Sequence, residues 1–323
     1  MSTISFPIEM QLDSIKKHIL QTSIAAWDRH VTESSLARWL NNFTGKALGD
    51  ENLERIIAAW LLFNFTFYSN SEVNELCKII YRKYIHEKLN QSKYKESGKS
   101  IAEQRTDIIS RTYFAPLGNP SESSCFILYL FRTSNGLPKD CFDPILCDKK
   151  LAKHEIDDVV LIDDVTISGT QASDYLKNKD FKGSSVTLLT FFAAPAAIDK
   201  LSSDHPELKV IYVHFLDDRT KLFSKESFLF SNDESSKLRD YVDQLCNVYG
   251  KWIVENDMDH AQAYMRDHPL GFANGQQLFG FYYNTPDNTL PIIWHQSNEW
   301  FPVFKRHPKV YTMDGGNFDG KYW

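Results

Sequence analysis

Val159 to Gln171 reads VVLIDDVTISGTQ, and the order of residue types along it decides the fold. Four apolar, β-favouring residues without polar alternation predict a strand covered on both faces, as in a parallel sheet. Asp163 and Asp164 end that run. Val165 to Thr170 then form a small polar loop containing Gly169, after which Ala172, Tyr175 and Leu176 recur at helical spacing. The order is therefore strand, acidic pair, loop, helix.

Outward from this stretch the same rhythm continues. Phe126–Phe131, Val186–Phe192 and Val210–Phe215 read as further short strands, their starts spaced by roughly 25 to 35 residues, the length of a βαβ unit. The fold class expected is α/β with a parallel sheet, and open sheets of that kind bind ligands beyond the carboxyl ends of their strands. Toward the N-terminus the pattern is helical. Leu53, Ile56, Ile57, Trp60 and Leu61 trace one stripe, and Val73, Leu76, Cys77, Ile80 and Tyr84 a second, with Ser69 and Glu72 as a capping box. These two stripes are expected to pack together. The polar run Lys93–Lys99, with Gly98, marks a boundary, so residues 1–98 read as a helical cap or partner-docking region and 99–265 as the α/β core. Residues 266–323 form an aromatic, turn-rich C-terminal extension interrupted by Pro286, Pro291, Pro302 and Pro308.

Composition bounds the function classes. The 323 residues are 42% hydrophobic, 24% charged and 14% aromatic, a globular balance, and the formal net charge of −6 argues against broad binding to a nucleic-acid backbone. Five cysteines, Cys77, Cys125, Cys141, Cys147 and Cys246, lack the spacings of a zinc site and read as reduced thiols. The opening MSTISFPIEMQLDS has no basic region followed by an apolar one, and the longest apolar run, Ile56–Phe67, contains Asn64 and is too short for a bilayer. A cytoplasmic protein without membrane association is expected.

The chemistry of the loop follows from its neighbours. A helix N-terminus after a small polar loop presents unpaired N–H groups and a positive dipole end, which favour a phosphate; the hydroxyls of Thr166, Ser168 and Thr170 add donors. Adjacent carboxylates repel unless a cation or hydrogen-bond donor lies beside them, which a ribose diol with Mg²⁺ supplies. Sugar at one end and phosphate at the other describe a 5-phosphoribosyl group. A solvated acidic strand end is the plainer alternative.

The stretch resembles the signature of type I phosphoribosyltransferases: a hydrophobic strand, two acidic residues, a few variable ones, then Thr/Ser-Gly-x-Thr/Ser. The resemblance implies that Asp163 and Asp164 hold the ribose hydroxyls and Mg²⁺ through them, and that Ser168, Gly169 and Thr170 cradle the 5-phosphate, with Thr166 and Gln171 as further phosphate-binding candidates. Gln171 stands where the family usually has a second Thr or Ser. Arg132–Pro138, RTSNGLP, is similar to the adenine-type loop over the pyrophosphate, with Thr133 in place of a lysine, and makes Arg132 the candidate for leaving-group charge. An ordinary turn at Asn135 and Gly136 explains the same residues. The whole chain from about residue 35 to 310 looks like the PRTase-CE group of prokaryotic conflict and antiphage systems, some encoded beside retrons; Tyr129–Arg132 and Asn288–Trp294, NTLPIIW, carry the match with the acidic loop. That resemblance implies an effector acting on 5-phosphoribosyl diphosphate or a nucleotide, or a nucleotide-sensing module without catalysis. It also implies a protein or ribonucleoprotein partner, such as a reverse transcriptase with its RNA/DNA, on the helical region. In the extension, Tyr282, Tyr283, Trp294 and Trp300 read either as platforms for a base whose edge Asn284 or Asn288 contacts, or as core packing.

Overall fold

The computed structural model describes residues 11–118, 122–177, 179–230, 237–258 and 264–307; the first ten residues of the opening segment and Pro308 lie outside them. Along these residues run α1 (Leu12–Ala26), α2 (Glu33–Leu40), α3 (Glu51–Phe63), β1 (Thr66–Tyr68), α4 (Asn70–Leu89), α5 (Ser92–Lys95) and α6 (Ile101–Ser110). Then come β2 (Thr112–Pro116), α7 (Ser123–Ser134), α8 (Pro144–Ala152), β3 (Asp158–Thr166), α9 (Thr170–Lys177), β4 (Ser185–Ala193) and α10 (Pro195–Asp204). β5 (Lys209–Phe215), α11 (Lys237–Trp252), β6 (Phe279–Phe281) and α12 (Pro291–Trp294) complete the order. Helix starts follow local chemistry: Ser69 and Glu72 form the expected capping box on α4, Ser100 and Glu103 another on α6, and Pro144 follows the capping Asp143 on α8.

β2, β3, β4 and β5 form one parallel sheet in that spatial order, with Val159 opposite Val186 and Asp163 opposite Thr190. Both faces are covered, as the continuous apolar runs predict. Val160, Ile162, Leu189 and Phe191 pack with Ile80 and Tyr84 of α4 and Ile127 and Phe131 of α7. Val159, Leu161 and Leu188 face the other way, onto Ala172 and Leu176 of α9 and Leu201 of α10. The alternation is the strand period of two.

Two local expectations are corrected. Phe126–Phe131 is not a strand but the middle of α7, which buries Ser124, Ile127 and Phe131 at helical spacing while Phe126 and Tyr129 stay exposed. The strand in that unit is β2, a short edge strand whose TYFAP lacks a long apolar run. A six-residue apolar run does not by itself separate a strand from a half-buried helix. Nor do the stripes of α3 and α4 share a core. Ile57, Ala58, Leu61 and Leu62 of α3 pack with α1, α11 and the extension, whereas the α4 stripe lies on the sheet, so packing crosses residue 98. Lys93–Lys99 includes the single turn of α5 before Gly98 breaks it at φ +65°.

The aromatic surplus fills the core shared by the helical region and the extension. Trp39 and Trp300 donate their indole N–H groups to the same carbonyl, Ile292 O, at 2.8 and 3.2 Å, and Phe43 meets Trp39, Tyr249 and Trp300 edge-on at 5.2 to 5.6 Å. β6 of the extension pairs in parallel with β1, Thr66 opposite Phe279. Within this core the buried carboxylate of Glu54 accepts from the backbone N–H groups of Gly45, Ala47 and Leu48 and from Tyr249 Oη. Such full hydrogen bonding is what a carboxylate needs away from water.

Candidate active site

A cavity of about 380 Å³ opens at the carboxyl end of β3, where an open parallel sheet places its ligands. Every residue from Asp163 to Ala172 lines it, so the stretch singled out in the sequence forms one continuous wall. β3 carries the two aspartates to the rim. Asp163 is 7% exposed and Asp164 half-buried. Asp164 accepts from Val165 N through Oδ1 at 2.9 Å and from the Tyr283 hydroxyl through Oδ2 at 3.0 Å. Burial, with the charges of Asp164 and Asp163, pushes the Tyr283 phenol well above its usual pKa, so it stays a donor.

The loop turns back into α9 through Gly169. Its φ of +72° favours glycine, and a Cβ there would stand 3.0 Å from Ala197 O at the start of α10. The loop also bonds to itself, Thr170 N donating to Ser168 Oγ at 3.3 Å. Thr166 turns inward, toward Thr190 Oγ1 at 3.4 Å, and is 5% exposed. Gln171, at the first turn of α9, donates Nε2 to Glu122 Oε2 at 2.8 Å, just before the start of α7. That pairing brings a carboxylate to the edge of the loop, in the place where the family pattern has a hydroxyl.

The opposite wall comes from the extension: Phe281, Asn284, Pro286, Asp287, Asn288 and Arg306, with Tyr264 and Phe272 beside them. Asn284 Oδ1 is held by Thr285 N and His307 N, both at 3.0 Å, and Asn288 donates Nδ2 to Phe272 O at 3.0 Å. Both asparagines line the cavity, but Asn288 is tied into the wall. Arg306 donates to Thr285 O at 2.8 Å and to Asp287 Oδ2 at 2.9 Å, and its guanidinium lies 5.6 Å over the Trp294 ring.

Two predicted site residues stand elsewhere. Arg132 lies in the last turn of α7, whose first residue, Ser123, is at the cavity; nine residues of helix put them roughly 13 Å apart along the axis. Its guanidinium sits 5.7 Å over Tyr129 instead. Trp294 is 1% exposed, donates to Thr289 O at 2.8 Å and packs with Val254 and Met265, so it supports the wall through Arg306 rather than facing a ligand. The packing reading holds for Trp294 and Trp300. Sequence reasoning missed Arg306 and underrated Tyr283. Both come from more than a hundred residues beyond the acidic pair, and the basic residue after the last aromatic cluster was the available signal for Arg306.

Among the described lining residues four carboxylates, Glu122, Asp163, Asp164 and Asp287, face one guanidinium, Arg306. A phosphorylated ligand in such surroundings requires added positive charge. No described group of three or more His, Cys, Asp or Glu is arranged to hold a metal ion. The surplus of carboxylate oxygens is the donor chemistry that a hard cation such as Mg²⁺ would meet here.

A four-stranded parallel sheet with an acidic pair, a glycine turn and a helix N-terminus at the carboxyl end of one strand fits the phosphoribosyltransferase-like α/β class. The family model of PRTase-CE matches residues 36–306, and the chain belongs to that family. No curated protein matches the chain. Among the described residues, no helix is long and apolar enough to cross a membrane.

Proposed function

We propose that the cavity binds 5-phosphoribosyl diphosphate or a nucleotide together with Mg²⁺, and that it catalyses displacement at the anomeric carbon. The observation that carries this reading is the shared cavity wall: both aspartates, Ser168, Gly169, Thr170 and Gln171 meet one space of about 380 Å³. Asp163 and Asp164 bind the ribose hydroxyls and place negative charge beside the sugar. In the reaction the bond from C1 to its leaving group breaks as the bond to the acceptor forms, and the sugar passes through an oxocarbenium-like state that nearby carboxylates stabilise. The loop and the first turn of α9 anchor the 5-phosphate. Asn284 reads the base or acceptor from the far wall. Mg²⁺ would supply the charge that a leaving diphosphate needs.

The biological setting we propose, a cytoplasmic antiphage effector that depletes nucleotides, rests on the family resemblance. A protein or ribonucleoprotein partner on the helical region, such as a reverse transcriptase with its nucleic acid, rests there too. A non-catalytic nucleotide sensor is favoured by two observations: Arg132 stands away from the cavity, and Glu122 adds a carboxylate beside the loop. Expressing the chain with its genomic neighbours and profiling nucleotide pools separates the two. Depletion that disappears in the Asp163→Asn/Asp164→Asn variant supports the enzyme; unchanged pools with retained binding of a labelled nucleotide support the sensor.

A further inference from the structure

We propose that Tyr283 is a positioning residue for Asp164, so that the C-terminal extension completes the sugar-binding half of the site. This deepens the function proposed above and rests on it. The acidic pair needs a donor beside it even before any ligand enters, because two adjacent carboxylates repel. The Tyr283 hydroxyl meets that need at Asp164 Oδ2, 3.0 Å away, while Val165 N holds Oδ1. With one bond on each oxygen, the carboxylate plane is fixed. A carboxylate has about four acceptor positions, so the remaining ones are left to the cavity.

The phenol is itself held rigidly. Its ring lies nearly parallel to Phe281 of β6, centroids 5.2 Å apart at 11°, and packs at 5.1 Å against Phe126 of α7. One side of this clamp is the extension and the other the α/β core. Asp163, Asp164 and the Cys77 thiol act on it electrostatically, and the Tyr282 ring lies 5.3 Å away. Among these described groups none is a cation, and the donor on Asp164 Oδ2 is the neutral Tyr283 hydroxyl. A neutral donor orients the carboxylate without cancelling the charge that a ribose diol or a ligand-borne Mg²⁺ would use.

The test is Tyr283→Phe, which keeps both ring contacts and removes one oxygen. Affinity for 5-phosphoribosyl diphosphate with Mg²⁺, measured by calorimetry on the full chain, is expected to fall about tenfold, as for loss of a hydrogen bond to a charged group. Tyr81→Phe is the control: it removes a comparable hydroxyl, bonded to Arg105 Nε at 2.9 Å, and is expected to leave affinity unchanged. In an Asp164→Asn background, followed by ligand-induced thermal stabilisation at millimolar ligand, Tyr283→Phe is expected to add less than about a twofold loss. Unchanged or tighter binding by Tyr283→Phe overturns the inference, as does an equal loss in both backgrounds. If the wild-type chain binds neither this compound nor nucleotides, the proposed function fails and takes the inference with it. If the wild type binds and Tyr283→Phe binds equally well, the inference alone fails.

Discussion

Strand β3 carries acidic residues at both ends, and the two ends use them differently. At its start Asp158, 2% exposed, accepts from Lys88 Nζ at 2.7 Å, Tyr84 Oη at 2.9 Å, Ser185 Oγ at 2.9 Å and Thr187 Oγ1 at 3.2 Å. Its acceptor positions are spent on the protein itself, and α4 is thereby fastened to the sheet. At the far end Asp163 and Asp164 stand on the wall of a cavity large enough for a nucleotide. One strand thus separates a carboxylate that holds the fold from a pair on the wall of a cavity.

The sharpest way to break this contrast is Asp158→Ala. It strands the Lys88 ammonium in the interior and is expected to cost about 3 to 5 kcal/mol in urea unfolding, the range for removing one partner of a buried pair. A loss under about 1 kcal/mol would mean that Lys88 finds water or another partner, since exposed pairs contribute only that much. Next comes Gly169→Ala. The substitution combines left-handed backbone with a Cβ 3.0 Å from Ala197 O. It is expected to destabilise the chain by about 2 kcal/mol and to weaken phosphate-bearing ligands, because strain of this kind costs roughly 1 to 3 kcal/mol.

A third prediction pits the two arginines against each other. Arg306→Ala is expected to weaken nucleotide binding about tenfold, and Arg132→Ala less than about twofold, in a side-by-side titration; the reverse order would return the leaving-group role to α7. The smallest effect concerns the amino end of the sheet. The Arg111 guanidinium, helped by the Lys93 ammonium, lowers the Asp157 carboxyl from 3.8 to about 2. Its folded pKa is depressed, so the stabilisation is present above about pH 4 and is lost as pH falls toward 2. Because the pair is partly solvated, the contribution is about 1 kcal/mol or less. Thermal melts from pH 5 to 2.5 should show a smaller acid-induced drop in Asp157→Asn than in the wild type.

The parts that were legible in the sequence are local. β3, its loop and α9 follow one another within twenty residues, and their chemistry depends on that order alone. β4 and β5 announce themselves by runs of apolar residues, buried along β4 and only partly covered along β5. β2 does not, because its five residues, TYFAP, hold no long apolar run, and FILYLF in α7 carries the stronger signal. The far wall was legible as aromatic residues and two asparagines, read as a base platform or as packing, but not in its contacts with the acidic pair. Tyr283 reaches Asp164 across 119 residues and Arg306 enters from the end of the described chain; such meetings are decided by the pairing of β1 with β6 and by the tryptophan core. No periodicity reports them.

The most direct measurement is calorimetric titration of the full chain with 5-phosphoribosyl diphosphate and Mg²⁺, beside the Asp163→Asn/Asp164→Asn variant. Saturable binding by the wild type and a loss of about a hundredfold or more in the variant, with unchanged melting temperature, is the result expected from two lost charge-assisted contacts. Equal affinity in the two proteins would contradict the account, since the paired aspartates would then have no part in holding the ligand.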